Sequence, residues 1–346
     1  MRTIYKPIKF PKDESAHNHM VEWWYFNGHL KDKKGNEYAF MDCLFRVNVK
    51  KLEIPLANKA PFKNFYFAHS IISDIKNKKS YSNIKHMVIA SKDSFTKPLL
   101  FINYTDPLVI NGYEDFVIEE TKEFNYKVKT EGLDLNLKAV KKPMFESGKG
   151  FTDAGGNKSF YYSLTNLKID GQIKINKKKI EVRGKGWMDH QWTNSAGYYD
   201  DKWNWFSIQL DDNTEIMCNE YIAKGNKRSY LIDIMHFDGK HESLKKIKMI
   251  PKSFWISKKT KEKYPIKWKI EIPERKIILD VVAMVKNQEV VAGPAHYWEG
   301  PINVKGVVNG KKVKGQGFME LVSHASPYGK FSFEGIRQLI NQILEK

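Results

Sequence analysis

Two stretches of the chain set ionisable groups against large rings. The first, "HNHMVEWWYFNGHL", covers residues 17–30, with Glu22 directly before Trp23, Trp24, Tyr25 and Phe26 and with His19 and His29 on its flanks. The second, "GWMDHQW", covers residues 186–192 and places Asp189 and His190 side by side between Trp187 and Trp192. On an extended strand successive side chains alternate, so Glu22 shares a face with Trp24 and Phe26, while Trp23 and Tyr25 take the other. Asp189 likewise goes with Trp187 and Gln191, and His190 with Met188 and Trp192. A carboxylate against apolar rings must be hydrogen-bonded, ion-paired or protonated. Glu22 therefore has two readings: a carboxylate that closes one end of the fold through its hydrogen bonds, or a catalytic acid. Around Asp189 and His190 the aromatic surroundings raise a carboxyl pKa and lower that of an imidazole, so a proton donor and a proton acceptor can coexist near neutral pH. An Asp–His bond that merely stitches a domain joint is the competing reading. Asp189 is the preferred acid.

A third set, "NQE" (residues 287–289) with "AHYWEG" (residues 295–300), again pairs Glu289, His296 and Glu299 with rings, Trp298 among them. Other chemistries lack their signatures. There is no Gly-x-Ser-x-Gly elbow, no HExxH spacing and no phosphate-cradling loop, and His17-x-His19 alone is weak evidence for a metal. The expectation is a site without metal or cofactor.

The elements that must position these residues are strands. "IKWKIEI" alternates cleanly, with Trp268, Ile270 and Ile272 on one face, and Asp170-Gly171, Asp238-Gly239 and Asn309-Gly310 are hairpin signals. The halves repeat each other. Trp23-Trp24-Tyr25-Phe26 with Leu30 and Asp32 matches Trp203-Asn204-Trp205-Phe206 with Leu210 and Asp212, and "VRGKGWMD" (residues 182–189) matches "VKGQGFME" (residues 313–320). Each half opens on an aromatic strand and closes on a Gly-x-Gly strand. All-β units of this size suit antiparallel barrels, whose interior holds side chains or one small ligand. The reading is two tandem barrels over residues 1–195 and 196–330, joined by a polar loop at a cleft suited to ligands, with a C-terminal amphipathic helix over 331–346.

Composition narrows the partners. The chain has 346 residues, 13% of them aromatic, and 58 Lys and Arg against 40 Asp and Glu give a net charge of +18. The excess is mostly lysine scattered through turns, which argues against nucleic acid and leaves room for peripheral contact with an anionic membrane surface. Cys43 and Cys218 have no ligand or disulfide spacing and read as buried thiols. No leader and no bilayer-spanning run is visible, so the expected location is cytoplasmic, at most peripheral to a membrane.

The combination "HMVEWWYFNGHL", "YYSLTNLKIDG", "VRGKGWMDHQW", "WNWFSIQL", "NQE", "YWEG" and "GQGFMEL" resembles the carotenoid 1,2-hydratase (hydroxyneurosporene synthase) family, from about residue 19 to 322. The resemblance implies two lipocalin-like barrels, and it places Asp189, His190 and Trp192 at the functional site, with His19, Glu22, Trp23 and Trp24 in the other signature. It also leads one to look for an acid near Asn219 and Glu220. The activity implied is cofactor-free hydration of a carbon–carbon double bond in an isoprenoid or carotenoid-like lipid. Asp189 would donate the proton, His190 would orient water, and Glu22 is the further acid. Trp23, Trp24, Tyr25, Trp187, Trp192, Trp203, Trp205 and Trp298 would line the substrate pocket. A non-catalytic carrier of an apolar ligand and a cyclising enzyme of the Diels–Alder type remain open beside it.

Overall fold

The computed structural model describes residues 5–52, 63–90, 99–105, 116–154, 156–195, 202–292 and 295–322. The expected C-terminal helix, residues 331–346, lies outside them. The described residues form two curled antiparallel sheets. The first contains twelve strands: β1 (Val21–Asp32), β2 (Glu37–Asn48), β3 (Asn64–Asp74), β4 (Lys79–Ala90), β5 (Phe101–Thr105), β6 (Phe116–Lys122), β7 (Asn125–Lys129), β8 (Leu133–Ala139), β9 (Met144–Phe145), β10 (Phe151–Ala154), β11 (Asn157–Ile175) and β12 (Lys178–Thr193). It closes on itself because the long β11 pairs with both β12 and β8. The second contains ten: β13 (Lys202–Leu210), β14 (Glu215–Ala223), β15 (Lys227–Met235), β16 (His241–Leu244), β17 (Lys248–Ile256), β18 (Lys263–Ile272), β19 (Ile277–Ala283), β20 (Glu289–Ala292), β21 (Ala295–Val308) and β22 (Lys311–Val322). It curls round its core with no ladder between its end strands β16 and β17 among the described residues.

The duplication read in the sequence is a duplication of topology. In each sheet the aromatic strand pairs antiparallel with the Gly-x-Gly strand that closes the half, β1 with β12 and β13 with β22. The glycines are there because the neighbouring backbone comes too close for a Cβ. One added to Gly186 would sit 2.4 Å from the Asn27 carbonyl, and one added to Gly317 would sit 1.8 Å from that of Ser207.

Each barrel is filled by its own side chains. Trp24, Phe26, Leu30, Met188 and Trp192 belong to the first core, and Phe206, Ile208, Trp268, Trp298 and Met319 to the second. The first barrel is stoppered at one end by the short turn Lys12–Glu14. The fully buried Glu14 accepts hydrogen bonds from the Tyr126 and Tyr162 hydroxyls at 2.6 and 2.7 Å, and the Trp24 indole donates to the Glu14 carbonyl.

A third cluster lies between the sheets: Tyr25, Met41, Cys43, Tyr161 and Trp187 from one, Trp205, Met217, Tyr297 and Phe318 from the other. Cys43 and Cys218 are buried free thiols. The interface is pinned by hydrogen bonds at equivalent positions of the two repeats. His29 Nε2 donates to the Gly317 carbonyl at 2.8 Å, and Gln209 donates to the Gly186 carbonyl at 2.8 Å. No helix of the described residues is long and apolar enough to cross a membrane.

Candidate active site

Strand alternation puts the outer faces of β1, β12, β13 and β22 against one another, and the space left between them is a chamber. Its cavity volume is about 100 Å³, and Trp23, Tyr25, Phe45, Tyr161, Trp203, Trp205, Tyr221 and Tyr297 supply rings to its walls. Three carboxyl groups reach the same space: Asp189, Glu299 and Glu320. The repeat explains two of them. Asp189 lies opposite Tyr25 in the β1–β12 ladder and Glu320 lies opposite Trp205 in the β13–β22 ladder, so equivalent acids of the two halves meet at one cavity.

Each carboxyl has ring-borne donors. Asp189 Oδ2 accepts from the Tyr161 hydroxyl at 2.7 Å, and Oδ1 accepts from Trp187 Nε1 at 2.6 Å and lies 2.6 Å from Ser163 Oγ. Glu299 accepts from the Tyr25 hydroxyl at 2.6 Å, and Glu320 accepts from Trp203 Nε1 at 3.1 Å. Trp205 Nε1 in turn donates to the Tyr161 hydroxyl at 3.0 Å. Burial raises all three acids, because a charge in a ring-walled space loses its hydration. For Asp189 the three donors offset part of that effect and leave it at about 6. Burial, reinforced by the charge of Asp189, brings Glu320 to about 7 against its Trp203 donor. Burial and the neighbouring Glu320 hold Glu299 well above the usual carboxylate range. The chamber can therefore keep one acid neutral beside another that is ionised at the same pH.

Of the residues expected at the site, Asp189, Trp23, Tyr25, Trp203 and Trp205 line the chamber. Trp187 stands behind it as the donor to Asp189. The others are elsewhere. His190 follows Asp189 in the chain and so points to the opposite face of β12, into the first barrel. There its Nε2 lies 2.9 Å from Glu22 Oε1, and its ring packs on Trp24 and Trp192. Asp189 and His190 therefore face different spaces, and the expected pairing of the two at one site is not formed. Trp24 and Trp192 belong to the first core, with Trp192 stacked on His17 at 3.8 Å. Trp298 belongs to the second core and donates to the Lys286 carbonyl.

Glu22 is a buried ion-pair centre. It accepts from Arg46 at 2.8 Å, from His17 Nδ1 at 2.8 Å, from the His17 amide at 2.9 Å and from His190. Burial alone would raise it, but the charges of His17 and Arg46 and the imidazole bonds outweigh that and hold it well below the usual carboxylate range. His17, Glu22 and His190 are close enough together to hold a cation. Both Glu22 oxygens are already engaged, and the Arg46 guanidinium supplies the positive charge, so the donor set does not fit a metal. Burial lowers His190 to about 4, leaving it a neutral hydrogen-bond partner. Of the acids sought near residues 219 and 220, Glu220 is turned away and pairs with Asn204 and Arg228, while Asn219 lines the chamber.

Sequence reasoning passed over Tyr161, Ser163, Tyr221 and Glu320 as site residues and left Glu299 open between a structural and a functional reading. The signal for Glu320 was present: it occupies the position of Asp189 in the second repeat. Glu299 stood among ringed acids but on a strand whose partner face the chain alone does not show.

The chain is similar to proteins of known kind. The chain is 24% identical over 203 residues to a dehydratase, asqC, of Emericella nidulans, covering 55% of this chain and 57% of that protein. It is 22% identical over 199 residues to kievitone hydratase of Fusarium solani subsp. phaseoli, covering 55% and 56%. The match thus spans little more than half the length of these curated relatives. The crystal structure of an AttH candidate from Nitrosomonas europaea superposes with a TM-score of 0.75 at 23% identity, over 92% of this chain and 98% of that one. The sequence model of the AttH-like family matches residues 3–324, and the chain therefore belongs to the AttH-like family.

Proposed function

We propose that the interdomain chamber adds water to a carbon–carbon double bond of an apolar molecule, or removes it in the reverse direction. The observation that carries this reading is the convergence of two equivalent buried acids, Asp189 and Glu320, on one ring-walled cavity. Hydration needs a neutral acid to protonate the alkene, π-faces beside the cation that forms, and a base to take a proton from the attacking water. Glu320 is the weaker acid of the two, so the reactive form is the minor one in which Asp189 keeps its proton while Glu320 is ionised, and in it Asp189 donates to the alkene carbon. Trp23, Trp203 and Trp205 and the nearby carboxylate charge stabilise the cation. Ionised Glu320 accepts the proton of the water that captures it, and Glu299, held neutral, adds no second negative charge. The names of the two curated relatives, a hydratase and a dehydratase, support this reaction class.

The substrate reading is an isoprenoid-type alkene. A cavity of about 100 Å³ suits one branched alkene end or one ring, not a whole carotenoid chain, so the chamber takes the reacting end of a longer molecule. The test is incubation in heavy-oxygen water with a panel of prenyl-bearing and other apolar alkenes, followed by mass spectrometry. Incorporation of one heavy oxygen into the product is the expected result. Tight binding with no incorporation, and no dehydration of the corresponding alcohols, would move the reading to a carrier.

A further inference from the structure

Resting on the reading of Asp189 as the chamber acid, we propose that Ser163, Glu146, Asp233 and His241 form a proton path from the protein surface to Asp189 through the wall of the chamber. An apolar ligand that fills the chamber plugs its mouth. An acid that has given up its proton is then cut off from solvent on the chamber side, and a route through the wall would reload it.

Hydrogen-bond distances join both ends of the path, and the turn carrying Glu146 brings its carboxyl to Asp233 in the middle. Ser163 Oγ lies 2.6 Å from Asp189 Oδ1 and 2.7 Å from Glu146 Oε1. One hydroxyl carries one proton and can donate to only one of these oxygens, so the other carboxyl must donate to it. At least one of Asp189 and Glu146 is therefore protonated, and that proton can sit at either end of the serine. Glu146 Oε2 is buried without a hydrogen-bond partner among the described residues, and the next residue, Ser147, donates its amide to Asp233 Oδ2 at 3.0 Å, which sets the two carboxyls side by side. Asp233 Oδ1 lies 2.8 Å from His241 Nε2, with the Ser243 hydroxyl on the same oxygen. Glu146, Ser163 and Asp233 are fully buried, whereas the His241 side chain is 17% exposed and meets solvent.

The turn Glu146–Gly148 holds the middle of the path. Ser147 adopts a left-handed conformation, φ 58° and ψ 25°, which a non-glycine residue takes only when its surroundings hold it there, and its amide donates to Asp233 Oδ2 at 3.0 Å. Burial and the charges of Asp233 and Asp189 hold Glu146 well above the usual carboxylate range, as a relay carboxyl requires. The ionisable groups facing the two ends are Tyr161, Glu299 and Glu320 beside Asp189, and His241 beside Asp233. In the inward step protonated His241 gives its proton to Asp233, Asp233 passes one to Glu146 Oε2, Glu146 Oε1 gives one to Ser163, and Ser163 gives its own to Asp189. One proton enters, one arrives, and no electrons move.

The test is a pH jump on protein whose chamber is filled with a saturated branched hydrocarbon, followed by tryptophan fluorescence, since Trp187 Nε1 donates directly to Asp189. The Glu320→Gln background removes the contribution of the Trp203–Glu320 bond. Asp189→Asn should silence the relaxation. Glu146→Gln, an isostere that cannot pass a proton on, and Ser163→Ala should each slow it at least about tenfold at unchanged amplitude, given that a positioned proton-transfer group is worth about 10²–10⁴-fold. His241→Asn should slow it in a way that added imidazole restores. Should one of the two wall variants fail to fold, the other decides. Wild-type rates in Glu146→Gln or Ser163→Ala, with Asp189→Asn silent, overturn the path and leave the chamber reading standing. A relaxation that persists in Asp189→Asn overturns both.

Discussion

Replacing Glu22 with glutamine separates the two readings of that residue. The carboxylate lies at zero exposure among His17, Arg46 and His190, and it pairs with the Arg46 guanidinium at 2.8 Å. A carboxamide keeps the shape but sets an NH₂ or a neutral oxygen against the guanidinium. Breaking a buried pair by removing one partner costs about 3–5 kcal/mol. At roughly 2–4 °C per kcal/mol for a unit of this size, the first barrel should melt about 6–20 °C lower. The pH dependence has a definite sign. Glu22 is held below its ordinary value of 4.5, so its contribution is complete above 4.5 and is lost as pH falls further. Burial opposes the charged form of His17, but Glu22 and Asp13 raise it above 6.5, so its contribution is complete below 6.5 and is lost as pH rises through the raised value. The gap between wild type and Glu22→Gln should thus be widest between pH 4.5 and 6.5 and narrow on both sides. Thermal and urea unfolding across pH 3–9 would show it, with turnover of folded protein unchanged within a few-fold. A variant of wild-type stability that has lost turnover would refute the assignment and return Glu22 to the chemistry.

Two further outcomes follow from the same electrostatics. With Asp189 needed neutral and Glu320 needed ionised, and Asp189 the stronger acid of the two, the active form is a minor fraction that peaks between about 6 and 7, so kcat for hydration should fall below that window and above it; a flat profile from pH 5 to 9 would contradict it. Burial, with the charge of Glu120, raises Glu14 to about 8, so the neutral stopper stabilises the fold below 4.5 and that contribution is lost as pH rises toward 8; Glu14→Gln should unfold with a flatter alkaline limb, and an unchanged limb in urea titrations would count against it.

Much of this was legible in the chain, and what was not has a physical cause. Alternation assigned every residue of "EWWYF" and "WMDHQW" to its correct face, because a strand offers two directions only. The repeat revealed the paired ladders, since Gly-x-Gly marks where two backbones nearly touch. Which face met the ligand was not legible. Both faces of β1 and β12 are buried, one by the barrel's own core and one by the other barrel, so hydrophobicity does not distinguish them. That is why Trp24, Trp192 and Trp298 read like pocket walls while filling cores. Glu146 and Asp233 were missed for a related reason: they are far apart in the chain and converge only because the turn after β9 leans on β15.

The central claim is that Asp189 in the interdomain chamber is the proton donor. Its most direct test is kcat and ligand Kd for Asp189→Asn on whichever alkene the wild-type protein hydrates. The account predicts a fall in kcat of about 10²–10⁴-fold with Kd nearly unchanged, the loss expected for one general acid. Turnover within a few-fold of wild type would contradict it.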